Sequence, residues 1–215
     1  MSEIIPTILT KDLIEFQEKI KRVEGIVSRI QIDVIDGIFA TNKTVDLGLL
    51  RNLEHQLRLD IHLMVKEPID WVAKSREVLA DRIVAQVEMM SNVKLFLEEV
   101  VTSGIELGLA LDLDTSVEKI SPEIYQKLDL ILLMAVKAGF GGQEFNSKVL
   151  EKIKKIKEMV GDLVEIGVDG GLNEKNIVEC KKAGATIFYV GKTFWEAEDL
   201  RERYEELEKL VISNW

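Results

Sequence analysis

Short apolar runs recur along the chain, and each is followed by a stretch whose apolar positions repeat at helical spacing. The run Arg29–Gly37, RIQIDVIDG, shows the strand form most clearly. By period-two alternation Ile30, Ile32 and Val34 share one face, and Gln31, Asp33 and Ile35 share the other. Asp36-Gly37 then supplies turn chemistry. An amide and a carboxylate on the inward face of an apolar strand are costly unless they are satisfied or used. Asp33 is therefore either a carboxylate held by backbone amides or a working group.

The same alternation predicts eight strand-then-helix units. Strands are expected at Ile4–Leu9, Ser28–Ile35, Leu59–Val65, Arg82–Glu88, Glu106–Leu113, Leu128–Val136, Leu163–Asp169 and Thr186–Val190. Helices are expected at Thr10–Val23 with Thr10 as N-cap, around Asp46–Gln56, after Glu67-Pro68, and at about Val93–Thr102. Further helices are expected near Pro122, at Ser147–Val160, at Asn173–Ala183 capped by Asn173, and at Phe194–Leu210. Leu128–Val136 is almost continuously apolar, the mark of a parallel strand covered on both faces. Eight such units predict one (β/α)8 TIM barrel, an α/β fold, over residues 1–215. The alternative is an open, doubly wound sheet.

Composition narrows the function classes. The chain has 215 residues, 47% of them hydrophobic and 31% charged, which fits one soluble domain with a substantial core. No apolar run is long enough for a transmembrane helix, and the N-terminus lacks the pattern of a signal peptide. One cysteine, Cys180, excludes an internal disulfide framework and suits a reducing cytoplasm. A net charge of −10 argues against nucleic-acid or anionic-membrane partners. An anionic substrate must then be held by local features. Association through the outer helices, as a homo-oligomer, is left open.

In a barrel of this kind the active face lies at the strand C-terminal ends. Asp33 on strand two, His62 on strand three and Asp169 on strand seven fall there. Carboxylates and imidazole together suit a divalent transition metal. Two aspartates from different strands also suit a reaction that takes a proton from one face of a carbon and returns one to the other. Three glycine-rich turns follow strands six, seven and eight: Gly139-Phe140-Gly141-Gly142-Gln143, Gly170-Gly171 and Gly191-Lys192. Glycines let backbone N–H groups converge on an anion, and the last two loops are a frequent phosphate site of the fold. Their spacing matches neither a dinucleotide fingerprint nor a Walker loop.

IPTIL at the start, IDVIDG (Ile32–Gly37), DIHLM (Asp60–Met64), MAVKAGFGGQEF (Met134–Phe145), VDGG (Val168–Gly171) and VGKTF (Val190–Phe194) together resemble the ribulose-phosphate 3-epimerase family. The resemblance implies a metal-dependent epimerase that inverts C3 of a ketose phosphate, by default D-ribulose 5-phosphate to D-xylulose 5-phosphate in the pentose phosphate pathway. It implies that Asp33 and Asp169 are the paired acid and base. It also implies that His62 and both aspartates hold one divalent ion (zinc, iron or manganese), with Gln31 a further candidate ligand. Thr10 would stand for the family's strand-one serine. Met64 and Met134 would pack near the reacting carbons, and the glycine turns, Gln143 and Lys192 would hold the small phosphorylated sugar.

This chain also departs from the family pattern. Gln31 stands where the family usually has a ligating histidine, and Gln86 where a histidine is common. Ile35 replaces a methionine, Ala138 a proline, Asp112-Leu113 an Asn-Pro pair and Lys192 a serine. An altered metal end leaves two alternatives: a non-catalytic phosphosugar-binding barrel, or an epimerase of altered specificity, such as one for a hexulose phosphate. A decarboxylase or aldolase of similar shape is disfavoured. Strand two reads DVID, without the lysine of the D-x-K-x-x-D pattern.

Overall fold

In a computed structural model, which describes residues 2–51 and 53–212, the eight expected strands form one closed parallel barrel in sequence order. They are β1 (Glu3–Ile8), β2 (Arg29–Ile35), β3 (Arg58–Met64), β4 (Arg82–Gln86), β5 (Glu106–Leu111), β6 (Leu130–Met134), β7 (Glu165–Asp169) and β8 (Ile187–Val190). The fold is therefore a (β/α)8 barrel and not an open sheet, because β8 pairs with β1 from Glu3↔Ile187 to Pro6↔Val190. No helix among the described residues is long and apolar enough to cross a membrane.

The helices are α1 (Leu13–Val23), α2 (Val72–Glu77), α3 (Val93–Ser103), α4 (Pro122–Tyr125), α5 (Lys148–Val160), α6 (Glu174–Ala183), α7 (Lys192–Trp195) and α8 (Leu200–Ile212). Alternation sorts the strand side chains into two apolar layers. Ile30, Ile32 and Val34 of β2 point outward and pack with helix residues such as Phe16 and Ile20. Ile35, Met64, Leu130, Leu132 and Met134 fill the barrel's interior.

Three expected helices come out differently. α1 is capped by Asp12, whose Oδ1 accepts from the Ile14 and Glu15 N–H groups, and not by Thr10. In place of a helix over Asp46–Gln56 there is one 3₁₀ turn at Leu47–Leu50; Asn52 lies outside the described residues. Leu47 and Leu50 are buried, and a spacing of three satisfies a 3₁₀ turn as well as an α-helix. The closing helix is split into α7 and α8. Asp199 accepts from the Arg201 and Glu202 N–H groups and starts a fresh helix there. Asn173 caps α6 as expected, in a reciprocal capping box with Asn176.

Candidate active site

Strand register builds the site. β2 pairs with β3 so that Asp33 lies beside His62 and Gln31 beside Asp60. β6 pairs with β7 so that Met134 lies beside Asp169. Alternation aims Asp33, His62 and Asp169 inward at the C-terminal end, where they line a cavity of about 800 Å³. His62 Nδ1 is 2.9 Å from Asp33 Oδ1 and 3.9 Å from Asp169 Oδ2. One ligand atom from each of the three residues lies within 4.8 Å of the others. Two carboxylate oxygens and an imidazole nitrogen at that spacing fit a divalent cation.

The two carboxylates also face one another. Burial first, and the Asp33 charge second, push the Asp169 carboxyl up to about 7, against the opposing pull of His62 and Gln31. Gln31 is fully buried behind the pair. Its Nε2 donates to Asp33 Oδ1 at 3.0 Å and to Asp169 Oδ2 at 2.7 Å. Gln86, also fully buried, places Nε2 3.2 Å from His62 Nε2.

Met64, Met134 and the three glycine turns (Gly139, Gly141 and Gly142; Gly170 and Gly171; Gly191 with Lys192) line the same cavity. The turns support one another. A Cβ at Gly171, where φ is +64°, would strike the Phe145 backbone nitrogen and lie 2.8 Å from the Gln143 carbonyl oxygen. The Gln143 amide borders the cavity but donates to the Lys137 and Phe140 carbonyls, so it braces its own loop. Lys192 Nζ is largely exposed and 3.7 Å from Glu196.

Thr10 is not a cavity residue. It lies past the end of β1, where its Oγ1 donates to Glu15 and accepts from the Asp12 N–H. The strand-one hydroxyl that lines the cavity is Thr7. Its place follows from alternation: Ile5 faces the interior cluster, so Thr7 and Leu9 do too. Tyr189 of β8 also borders the cavity, while its hydroxyl reaches down to Asp60 Oδ2 at 2.8 Å.

The Ribulose-phosphate 3 epimerase family matches residues 3–195. A ribulose-phosphate 3-epimerase of Bacillus subtilis is 33% identical over 215 residues, covering 96% of this chain and 98% of the relative. One of Chlamydia muridarum is 32% identical over 212 residues, covering 95% and 92%. Among solved structures, KGPDC from Streptococcus mutans superposes with a TM-score of 0.73 at 13% identity, over 99% of this chain and 100% of that one. An orotidine 5'-phosphate decarboxylase from Pyrococcus horikoshii gives 0.66 at 14%, over 99% and 100%. At such identities these two speak for the barrel alone. Family match and full-length relatives agree: the chain belongs to the ribulose-phosphate 3-epimerase family and is an isomerase acting on carbohydrates.

Proposed function

We propose that this protein inverts C3 of D-ribulose 5-phosphate to give D-xylulose 5-phosphate, by two-aspartate acid/base chemistry assisted by a divalent cation. The observation that carries the reading is the convergence of Asp33 and Asp169, from β2 and β7, beside His62 at the floor of an open cavity. One carboxylate takes the C3 proton. The carbanion delocalises onto the C2 oxygen as an enediolate. The other carboxylate, protonated, delivers a proton to the opposite face, and the reverse reaction exchanges their roles. Each positioned acid or base contributes on the order of 10²–10⁴ in rate. Asp33, His62 and Asp169 would hold the cation, which supplies Lewis acidity to the ketose oxygens.

The chain's other residues position the sugar phosphate. Met64 and Met134 offer an apolar, deformable wall beside the carboxylates. The Gly170-Gly171 and Gly191 turns border the cavity and would take the phosphate on backbone N–H groups. A single buried thiol, Cys180, is compatible with the reducing cytoplasm in which this reading puts the enzyme.

A second reading, a barrel that binds the phosphosugar without turning it over, is favoured by the Gln31 amide bridging both carboxylates. One experiment separates the two. The protein is incubated with D-ribulose 5-phosphate in heavy water, with and without added Mn²⁺ or Zn²⁺, and followed by NMR. Metal-dependent deuterium uptake at C3 with formation of the epimer is expected. Saturable binding without exchange under either ion overturns the epimerase reading, unless a six-carbon ketose phosphate exchanges in its place.

A further inference from the structure

Gln31 and Gln86 each have one end of the amide paired and one end without a partner. Gln31 Nε2 bridges the two carboxylates, and its Oε1 has no hydrogen-bond donor among the described residues. Gln86 Nε2 faces His62 Nε2, and among the described residues its Oε1 also has none. Both side chains are fully buried. An unpaired buried oxygen costs about 1–3 kcal/mol, and here two of them flank the same imidazole–carboxylate cluster. A half-turn of either amide about its last torsion exchanges oxygen and nitrogen in nearly the same volume.

The two half-turns are linked through His62. Gln86 Nε2 can only donate, so His62 Nε2 accepts and the ring proton sits on Nδ1, donated to Asp33. A cation among the carboxylates requires the Nδ1 lone pair, so the ring proton must sit on Nε2 and needs an acceptor. Gln86 Oε1 becomes that acceptor after its half-turn. Gln31 cannot keep N–H groups aimed at a site holding a positive ion; its half-turn presents Oε1 there.

We propose that Gln31 Oε1 is a cation ligand in this chain, completing a three-oxygen, one-nitrogen set with Asp33, Asp169 and His62 Nδ1, and that Gln86 selects the His62 tautomer this set needs. The proposal rests on the metal-assisted reading above. A neutral amide oxygen is a harder donor than imidazole. Relative to an imidazole at position 31, the set shifts preference from Zn²⁺ toward Mn²⁺.

The test titrates Mn²⁺ into the chelator-stripped full chain, following free Mn²⁺ by electron paramagnetic resonance, with Zn²⁺ competition. Wild type is expected to bind one Mn²⁺ per chain. Gln31→Leu should weaken Mn²⁺ binding about tenfold or more. Gln31→His should raise the Zn²⁺-to-Mn²⁺ affinity ratio about tenfold or more, and as a ligand-bearing variant it keeps the test open if the leucine variant does not fold. Gln86→Leu, acting through His62, should weaken both ions together by about 10–100-fold. Mn²⁺ binding to Gln31→Leu within twofold of wild type, or an unchanged ratio in Gln31→His, overturns the proposal while leaving the epimerase reading intact. Wild type that binds neither ion overturns the proposal and the metal-assisted mechanism together. Heavy-water exchange at C3 then decides whether any epimerase remains.

Discussion

Asp33 and Asp169 are neighbours around one imidazole, and their charges cannot be treated separately. Asp33→Asn and Asp169→Asn keep the side-chain volume and remove the proton-transfer group. Each should lower kcat for epimerisation by about 10³-fold, within the range for a lost acid or base, with circular dichroism unchanged; either variant retaining near-wild-type turnover sinks the acid/base assignment. Asp169 also gives a pH signature. Burial and the Asp33 charge raise its folded-state carboxyl to about 7 from an ordinary 3.8. The folded, metal-stripped chain therefore holds this proton more tightly than the unfolded chain. The resulting stabilisation is complete below the ordinary value and is lost as pH rises through about 7. Between pH 5 and pH 8 the metal-stripped wild type should lose about 2 kcal/mol relative to Asp169→Asn, seen as a fall of several degrees in the difference between their melting temperatures. A difference that stays flat over that range would show that Asp169 remains ionised throughout.

At the level of elements, the glycine turns after β6 and β7 act as one unit because they touch. The loop after β7 runs against the loop after β6 at Gly171, and Asn42 in the loop after β2 donates to the Gly139 carbonyl. Gly171→Ala adds a methyl where φ is positive and backbone stands in the way, so the loops must part. It should cost about 2 kcal/mol or more and raise KM for the sugar phosphate while moving kcat less. An unchanged KM would show that this turn does not hold the phosphate. Period-two alternation is why the strands and the inward set Asp33, His62 and Asp169 were legible in the sequence: one residue's direction fixes its neighbours'. The same rule, applied to Ile5, leads to Thr7; Thr10, matched to the family's strand-one serine by resemblance, lies past the end of β1, where alternation has already stopped. The 3₁₀ turn at Leu47–Leu50 and the break before α8 were not legible from apolar spacing, since short turns and helices share a spacing of three. The Asp199 cap was the available signal for that break. No sequence pattern fixes the orientation of the Gln31 and Gln86 amides, which is set only once three strands bring their partners together.

Across the whole molecule, the two ends of the barrel carry different chemistry. At the N-terminal end Arg82 lies 3.4 Å from Asp60, 2.8 Å from Glu106 and 2.8 Å from Glu165, tying β4 to β3, β5 and β7. Arg29 adds a 2.8 Å pair with Asp60, and the Tyr189 hydroxyl donates to Asp60 from β8. These groups form a charged plug beneath the apolar interior, and Arg82 does not border the cavity. The carboxylates around it raise the Arg82 guanidinium's affinity for its proton despite burial. Arg82→Met fills a similar volume but removes the cation that links Asp60, Glu106 and Glu165, leaving Arg29 to Asp60 and Arg29 with Arg58 to Glu106. Removing one partner of a buried ionic cluster is far costlier than never building it, so a loss of about 2–4 kcal/mol is expected. For a chain of this size that corresponds to roughly 5–15 °C in melting temperature. The loss should shrink as pH falls, because burial already raises the Asp60 carboxyl and Arg82 is the strongest charge holding it down, so in the variant Asp60 takes up a proton more readily. At 25 °C the folded variant should keep kcat within about twofold of wild type, since division of labour between the ends leaves the C-terminal face undisturbed. A tenfold fall in kcat without a change in melting temperature would show instead that the plug sets the geometry of the aspartate pair through β3 and β7.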